Sequence, residues 1–227
     1  MEERLKNIQN RINRAAMACG RDPGSIRLVA ASKTVPASRV EEAIRAGVAT
    51  LGENYVQEAR EKINTLSSFD VSWHLIGHLQ TNKAKYAVRL FDLIHTVGSF
   101  KLARELNKQA QKNAKIQSVL IQVNISGELT KSGSDPKETI NLLKEISPLE
   151  NIQVKGLMTM PPFFDQPQKA RPFFGALRQM RQEIIARQIP HILMDELSMG
   201  MTGDFEAAIE EGATMVRIGT AIFGSRN

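Results

Sequence analysis

Short apolar runs alternate along this chain with longer stretches whose apolar positions recur every three or four residues. The short runs are too brief for helices and rich in β-branched residues, so they read as strands; the periodic stretches read as amphipathic helices. Strands are predicted at IRLVAAS (26–32), ATLGENY (49–55), VSWHLIG (71–77), DLIHTV (92–97), IQSVLIQVNI (116–125), IQVKGLMTM (152–160), IPHILMDELS (189–198) and ATMVRIGTAIFG (213–224). Each but the last precedes a helix pattern, and MEERLKNIQNRINRAA forms an extra helix before the first strand. Thr81, Ser99 and Asp135 are predicted helix caps, Pro136 fits a first turn, and one long helix is predicted from about Gln166 to Arg187. Strict strand–helix alternation implies a parallel sheet. Eight such units in a chain of 227 residues fit a closed (β/α)8 TIM barrel better than an open doubly wound sheet. No linker rich in Pro, Gly or Ser interrupts the pattern, so one domain over residues 1–227 is expected.

The first strand is not followed by G-x-G-x-x-G, and no G-x-x-x-x-G-K-[ST] occurs. The dinucleotide and P-loop readings therefore lose their main support. Cys19 is the single cysteine, which excludes an internal disulfide framework and any multi-cysteine zinc site. With no apolar run of membrane-spanning length and no signal-like amino terminus, a cytoplasmic protein with no membrane partner is expected. The net charge of +6 is uneven. Residues 1–115 hold 19 Lys and Arg against 11 Asp and Glu, or +8; the remainder hold 11 against 13, or −2. Lys101, Arg104, Lys108, Lys112 and Lys115 lie along one predicted helix, but no aromatics interleave with them as stacking partners would. They read as a solvated face, and no nucleic-acid partner is expected.

In a barrel of this kind the site lies at the carboxyl ends of the strands. Lys33 closes the first strand, and alternation places it with Val29 and Ala31, opposite Leu28, Ala30 and Ser32. If the first set faces the axis, an amine stands at the barrel mouth; partial desolvation would make it a nucleophile. Ser198-Met-Gly200-Met-Thr202-Gly-Asp204 follows the seventh strand, and Arg217-Ile-Gly219-Thr220 ends the eighth. Loops at these positions commonly cradle phosphate with backbone N–H groups and hydroxyls. A mouth-facing amine beside a phosphate cradle points to a small phosphorylated carbonyl compound: pyridoxal phosphate, or a sugar phosphate held as in a Schiff-base aldolase. Arg217 shares its strand face with Gly219, and either meets the pyridine nitrogen of such a cofactor or pairs with a carboxylate such as Glu53 or Asp195. His74 and His78 are four apart but read as strand and loop, so a hydrogen-bonded His74 in the barrel and a polar His78 near its mouth are expected, with no metal site; His95 fits either the core or the pocket.

These motifs resemble those of the YggS-type pyridoxal phosphate homeostasis proteins, the family that includes the proline synthase co-transcribed homologue and is related to the alanine racemase N-terminal barrel. LVAASKTVP (28–36), GENYVQEA (52–59), WHLIGHLQTNK (73–83), GLMTMPP (156–162) and LSMGMTGDFEAAIEEGATMVRIGTAIFG (197–224) carry the resemblance from first strand to last. It implies a single (β/α)8 barrel, with pyridoxal 5′-phosphate held as a Schiff base on Lys33. By the same resemblance Ser198, Gly200 and Thr202 in one loop, and Gly219 and Thr220 in the other, hold the phosphate. Arg217 faces the pyridine nitrogen and Asn54 lies near the cofactor. Position 202 more often carries serine in the family; threonine keeps the hydroxyl. The family has no established reaction, is implicated in vitamin B6 and in amino-acid and keto-acid balance, and is mostly monomeric. Two-base racemisation requires an acid/base group opposite the lysine. The only tyrosines are Tyr55 and Tyr86, so a cofactor-holding module is expected ahead of a weak racemase or an aldolase.

Overall fold

A computed structural model describes residues 1–128 and 132–224. Eight parallel strands close on themselves in sequence order: β1 (Arg27–Ala31), β2 (Thr50–Glu53), β3 (Ser72–Leu75), β4 (Leu93–Val97), β5 (Gln117–Gln122), β6 (Ile152–Met158), β7 (Ile192–Ser198) and β8 (Met215–Ile218). Closure is direct, because β8 pairs with β1 through Arg27↔Met215 to Ala30↔Ile218. An open sheet would leave both of these edges unpaired.

Helix α1 (Glu2–Ala18) precedes β1, and α2 (Ala37–Arg45), α3 (Val56–Thr65), α4 (Ala84–Leu90), α5 (Phe100–Lys112), α6 (Thr139–Ile146), α7 (Arg171–Ala186) and α8 (Phe205–Glu210) each follow a strand in turn. The short helix α9 (Thr220–Phe223) follows β8. Ile8 and Ile12 of α1 are buried, and Arg11 of the same helix pairs with Glu206 of α8 at 2.6 Å. The leading helix thus packs beside the place where the barrel closes.

Two cores follow from the period of two along each strand. Outward residues such as Ala30, Leu51, Ile94, Val119 and Leu197 pack against the helices. Inward residues Val29, Ile76, Leu93, Leu120, Met158 and Met215, with Ala31 against them, fill the axis. Ala31 being inward confirms the alternation that carries Lys33 to the mouth.

Several local expectations change. Ser99 caps α5 by accepting from Leu102 N. Thr81 is not a cap: it opens a 3-10 turn whose cap position is Gln80, and α4 starts only at Ala84. Asp135 caps a turn rather than α6, its carboxylate accepting from Lys137 N at 2.8 Å four residues before the helix begins at Thr139. Lys115 leaves the basic row of α5 and donates to the carbonyls of Val88 and Phe91.

Candidate functional site

The carboxyl ends of the strands surround a cavity of about 1010 Å³. Lys33, Asn54, Thr202, Arg217, Gly219 and Thr220 all line it, and Met160, Phe163 and Phe164 supply an apolar wall. The sequence places these polar residues up to 187 positions apart, and barrel closure brings them to one rim.

Each reaches the rim for a local reason. Lys33 continues the inward register of Val29 and Ala31. Asn54 follows β2, and the chain after β3 crosses it so closely that a Cβ on Gly77 would sit 2.4 Å from its carbonyl oxygen. Gly219 ends β8, and Thr220 begins α9, where the first N–H groups have no partner within the helix. Thr220 Oγ1 donates to Thr202 Oγ1 at 3.3 Å, joining the two glycine-rich loops into one polar ledge. Asp204 folds the first loop by accepting from Met201 N at 2.6 Å.

Two expected residues stand elsewhere. Ser198 does not line the cavity: β7 turns its side chain into the barrel axis, where it is fully buried. Its hydroxyl accepts from Arg217 Nη1 at 2.6 Å and lies 2.9 Å from His95 Nδ1. The phosphate-binding hydroxyl expected at this position is therefore committed to supporting Arg217. Gly200 is not on the cavity wall either. It turns the loop at φ +93°, where a Cβ would meet that of Ala208 at 2.6 Å, and its carbonyl accepts from Arg217 N. Its contribution is the path of the chain.

Arg217 is 4% exposed. Nη1 donates to Ser198 and Nη2 to the Thr159 carbonyl at 2.9 Å. Among the described residues no carboxylate lies within ion-pair distance, and neither Glu53 nor Asp195 contacts it. Burial lowers its pKa to about 10, opposed only by the charge of Asp204, so it remains a cation near neutrality. A buried cation held by neutral acceptors and lying against a cavity favours an acceptor or an anion there.

Below Arg217 runs a chain that the sequence did not reveal. His95 Nε2 lies 3.0 Å from His74 Nδ1. Arginine can only donate, so the Ser198 hydroxyl accepts from Arg217, while the tautomer of His95 sets the direction of its bonds to Ser198 and His74. The line joins four side chains from β8, β7, β4 and β3. The only advance sign was that His74, His95, Ser198 and Arg217 share inward registers, which becomes informative only once strand neighbours are known.

Both imidazoles are held neutral. Burial drives His74 down to about 4, and drives His95 well below its ordinary value, with His74 and then Arg217 adding to the effect. The unfolded chain binds protons at these histidines near pH 6.5 while the folded chain does not. Folding is therefore strengthened above pH 6.5 and weakened as pH falls toward 4. For His74 alone the shift from 6.5 to about 4 corresponds to about 3 kcal/mol at the acid end. Urea unfolding between pH 7.5 and 5 should show this slope, and His74→Asn, which keeps a hydrogen-bonding group near the Nδ1 position, should reduce it while the share of His95 remains. An unchanged slope would show that His74 accepts protons in the folded state.

A closed parallel barrel with a leading helix, and with an amine, a buried guanidinium and two glycine-rich loops at its carboxyl mouth, defines a protein of the alanine racemase barrel class. Residues 4–227 match the alanine racemase N-terminal domain family. The chain belongs more narrowly to the pyridoxal phosphate homeostasis proteins. It is 45% identical over 224 residues to the pyridoxal phosphate homeostasis protein of Aquifex aeolicus, covering 99% of this chain and 97% of that one. It is 43% identical over 228 residues to the protein of that name from Escherichia coli K12, covering 98% and 95%. Among solved structures, PipY of Synechococcus elongatus PCC7942 with pyridoxal phosphate (PLP) bound superposes with a TM-score of 0.82 at 37% identity, over 94% of this chain and all of that one. PipY without PLP gives 0.89 at 36% identity, over 99% and 100%. An alanine racemase of Clostridium difficile 630 shares the fold at 16% identity, with a TM-score of 0.75 over 99% of this chain and 57% of that one.

Proposed function

We propose that this protein binds and holds pyridoxal 5′-phosphate as part of vitamin B6 homeostasis, with Lys33 as the attachment point. One observation carries the reading: Lys33, the buried Arg217 and the joined loops of Thr202 and Thr220 converge on one cavity. The related PipY, alike in fold and sequence, has been solved with PLP bound. PLP supplies, when bound, an aldehyde carbon that exchanges its oxygen for the nitrogen of a primary amine with loss of water. The residues present fit that group. Lys33 would provide the amine, and the Thr202 and Thr220 hydroxyls with the first N–H groups of α9 would hold the phosphate. Arg217 would donate to the ring nitrogen and, being a cation, would keep a proton off it. Gly219 leaves the rim open, since a Cβ there would crowd the Ala31 carbonyl at 3.1 Å.

Holding is favoured over turnover. Two-base proton transfer needs a second group facing Lys33. Tyr55 is 61% exposed at the start of α3, Tyr86 lies on α4 beside Lys85, and neither lines the cavity. Among the described residues no helix is long and apolar enough to cross a membrane. The free Cys19 fits the reading of a protein of the reducing cytoplasm.

Incubation with PLP followed by borohydride should fix one pyridoxyl group on the peptide containing Lys33. Labelling elsewhere, or none, would overturn the assignment. Thr220→Val should weaken retention about tenfold, the lower part of the range for a hydrogen bond to a charged group, because backbone donors share the phosphate. Inorganic phosphate should speed release in dialysis. Retention unchanged in both experiments would move the phosphate away from this ledge.

A further inference from the structure

Outside the barrel wall, behind Lys33, lies a buried cluster of charges that the binding reading does not use. Lys62 of α3 is 5% exposed. Its ammonium donates to Glu53 Oε1 at 2.8 Å, to Glu58 Oε1 at 2.7 Å and to the Ser32 carbonyl at 2.6 Å. Those are all the donors an ammonium has. Glu53 Oε1 also accepts from Ser32 Oγ at 2.6 Å, and Glu58 Oε1 accepts from Thr34 N at 2.5 Å. Lys33 is the residue between Ser32 and Thr34. The peptide on either side of it is thus tied to a single ion cluster, and Thr34 is held at φ +63°, an unusual conformation for a non-glycine residue.

Stability alone does not account for this arrangement. Buried ion pairs often contribute no more than apolar residues of the same volume. Here the cluster also leaves Glu53 Oε2 buried without a hydrogen-bond partner. What the charges do achieve is specific geometry, because each ends on an atom of residue 32 or 34 or on the carboxylate that reaches it.

We propose that Lys62, Glu53 and Glu58 are positioning residues that lock the turn after β1 and so aim the Lys33 amine into the cavity. Neither carboxylate lines the cavity. Ser32 and Lys33 point to opposite faces, so anchoring Ser32 outward to the cluster sets Lys33 inward. Glu58 then fixes where the chain leaves β1. A misplacement of the order of 1 Å at a reacting group can cost about a hundredfold in rate, so freeing this turn should be visible in attachment.

The inference rests on Lys33 being the attachment point, and the test separates the two claims. Two ligands are compared: PLP, whose attachment rate is read by borohydride trapping, and pyridoxine 5′-phosphate, which carries the phosphate and ring nitrogen but no aldehyde. Glu58→Ala should slow attachment of PLP at least about tenfold while changing affinity for pyridoxine 5′-phosphate less than about twofold. Glu58→Gln, which keeps an acceptor for Thr34 N, should restore most of the rate. If Glu58→Ala does not fold, Ser32→Ala carries the same comparison with an expected fall of about threefold. Equal losses for both ligands, or attachment as fast as in the unaltered protein, would overturn the positioning role. Absence of label on Lys33 in the unaltered protein would instead overturn the functional reading beneath it.

Discussion

Lys33→Ala should abolish covalent attachment of PLP. Among the described residues no other lysine lines the cavity, so none of those amines can take its place. Lys62 is held on the outer side of the barrel wall with all three donors engaged. Mass spectrometry after borohydride treatment should show the unaltered protein carrying one pyridoxyl group and the variant at least about a hundredfold less under the same conditions. Non-covalent binding should persist, because Arg217 and the Thr202–Thr220 ledge remain. The fold should also persist, since Lys33 is half-exposed and β1 ends before it. A borohydride-fixed group on a different lysine, at an undiminished level, would assign the site to that residue.

Arg217→Met should have the second largest effect. The substitution removes the guanidinium proposed to donate to the cofactor ring and leaves an apolar chain in the barrel. Loss of a hydrogen bond from a charged group corresponds to about 1.5–3 kcal/mol, or about ten- to a hundredfold in affinity. Pyridoxine 5′-phosphate binding measures this without the covalent step. The Thr159 carbonyl loses its charged partner, while the Ser198 hydroxyl still has His95 to bond. Stability should therefore change less than affinity: burying a cation among neutral groups is costly, and removing it offsets part of the lost hydrogen bonding. Affinity equal to that of the unaltered protein would show that Arg217 serves only the barrel interior. Ser198→Ala should reproduce a milder version of the same loss, because it withdraws the support of Arg217 from a position off the cavity wall.

Much of this molecule was legible in the order of its residues. Strand–helix alternation was repeated often enough to predict closure, and β1 and β8 do pair. A period of two along β1 was enough to place Lys33 with Val29 and Ala31, because that period depends only on local backbone geometry. The glycine-rich loops declared themselves, since their residue types are ones that turns and anion cradles require. Helix starts were less legible. Ser99 fulfilled its capping role, whereas Thr81 and Asp135 stand at turns that precede their helices, and a side chain that can cap says little about which turn it will cap.

What tertiary structure alone decided is the partnership between strands. Ser198 reads as a loop hydroxyl beside Gly200, yet it belongs to the buried line that joins Arg217 to His95 and His74. Those four residues are spread over 144 positions and become neighbours only when inward registers are stacked around a common axis. Glu53, Glu58 and Lys62 look like ordinary helix and strand charges in the sequence. They acquire their role because β2 pairs with β1 and α3 packs back over the end of β1, bringing them against Ser32 and Thr34. Local periodicity sets the face on which a residue lies; only the register and packing of separate elements set what it meets there.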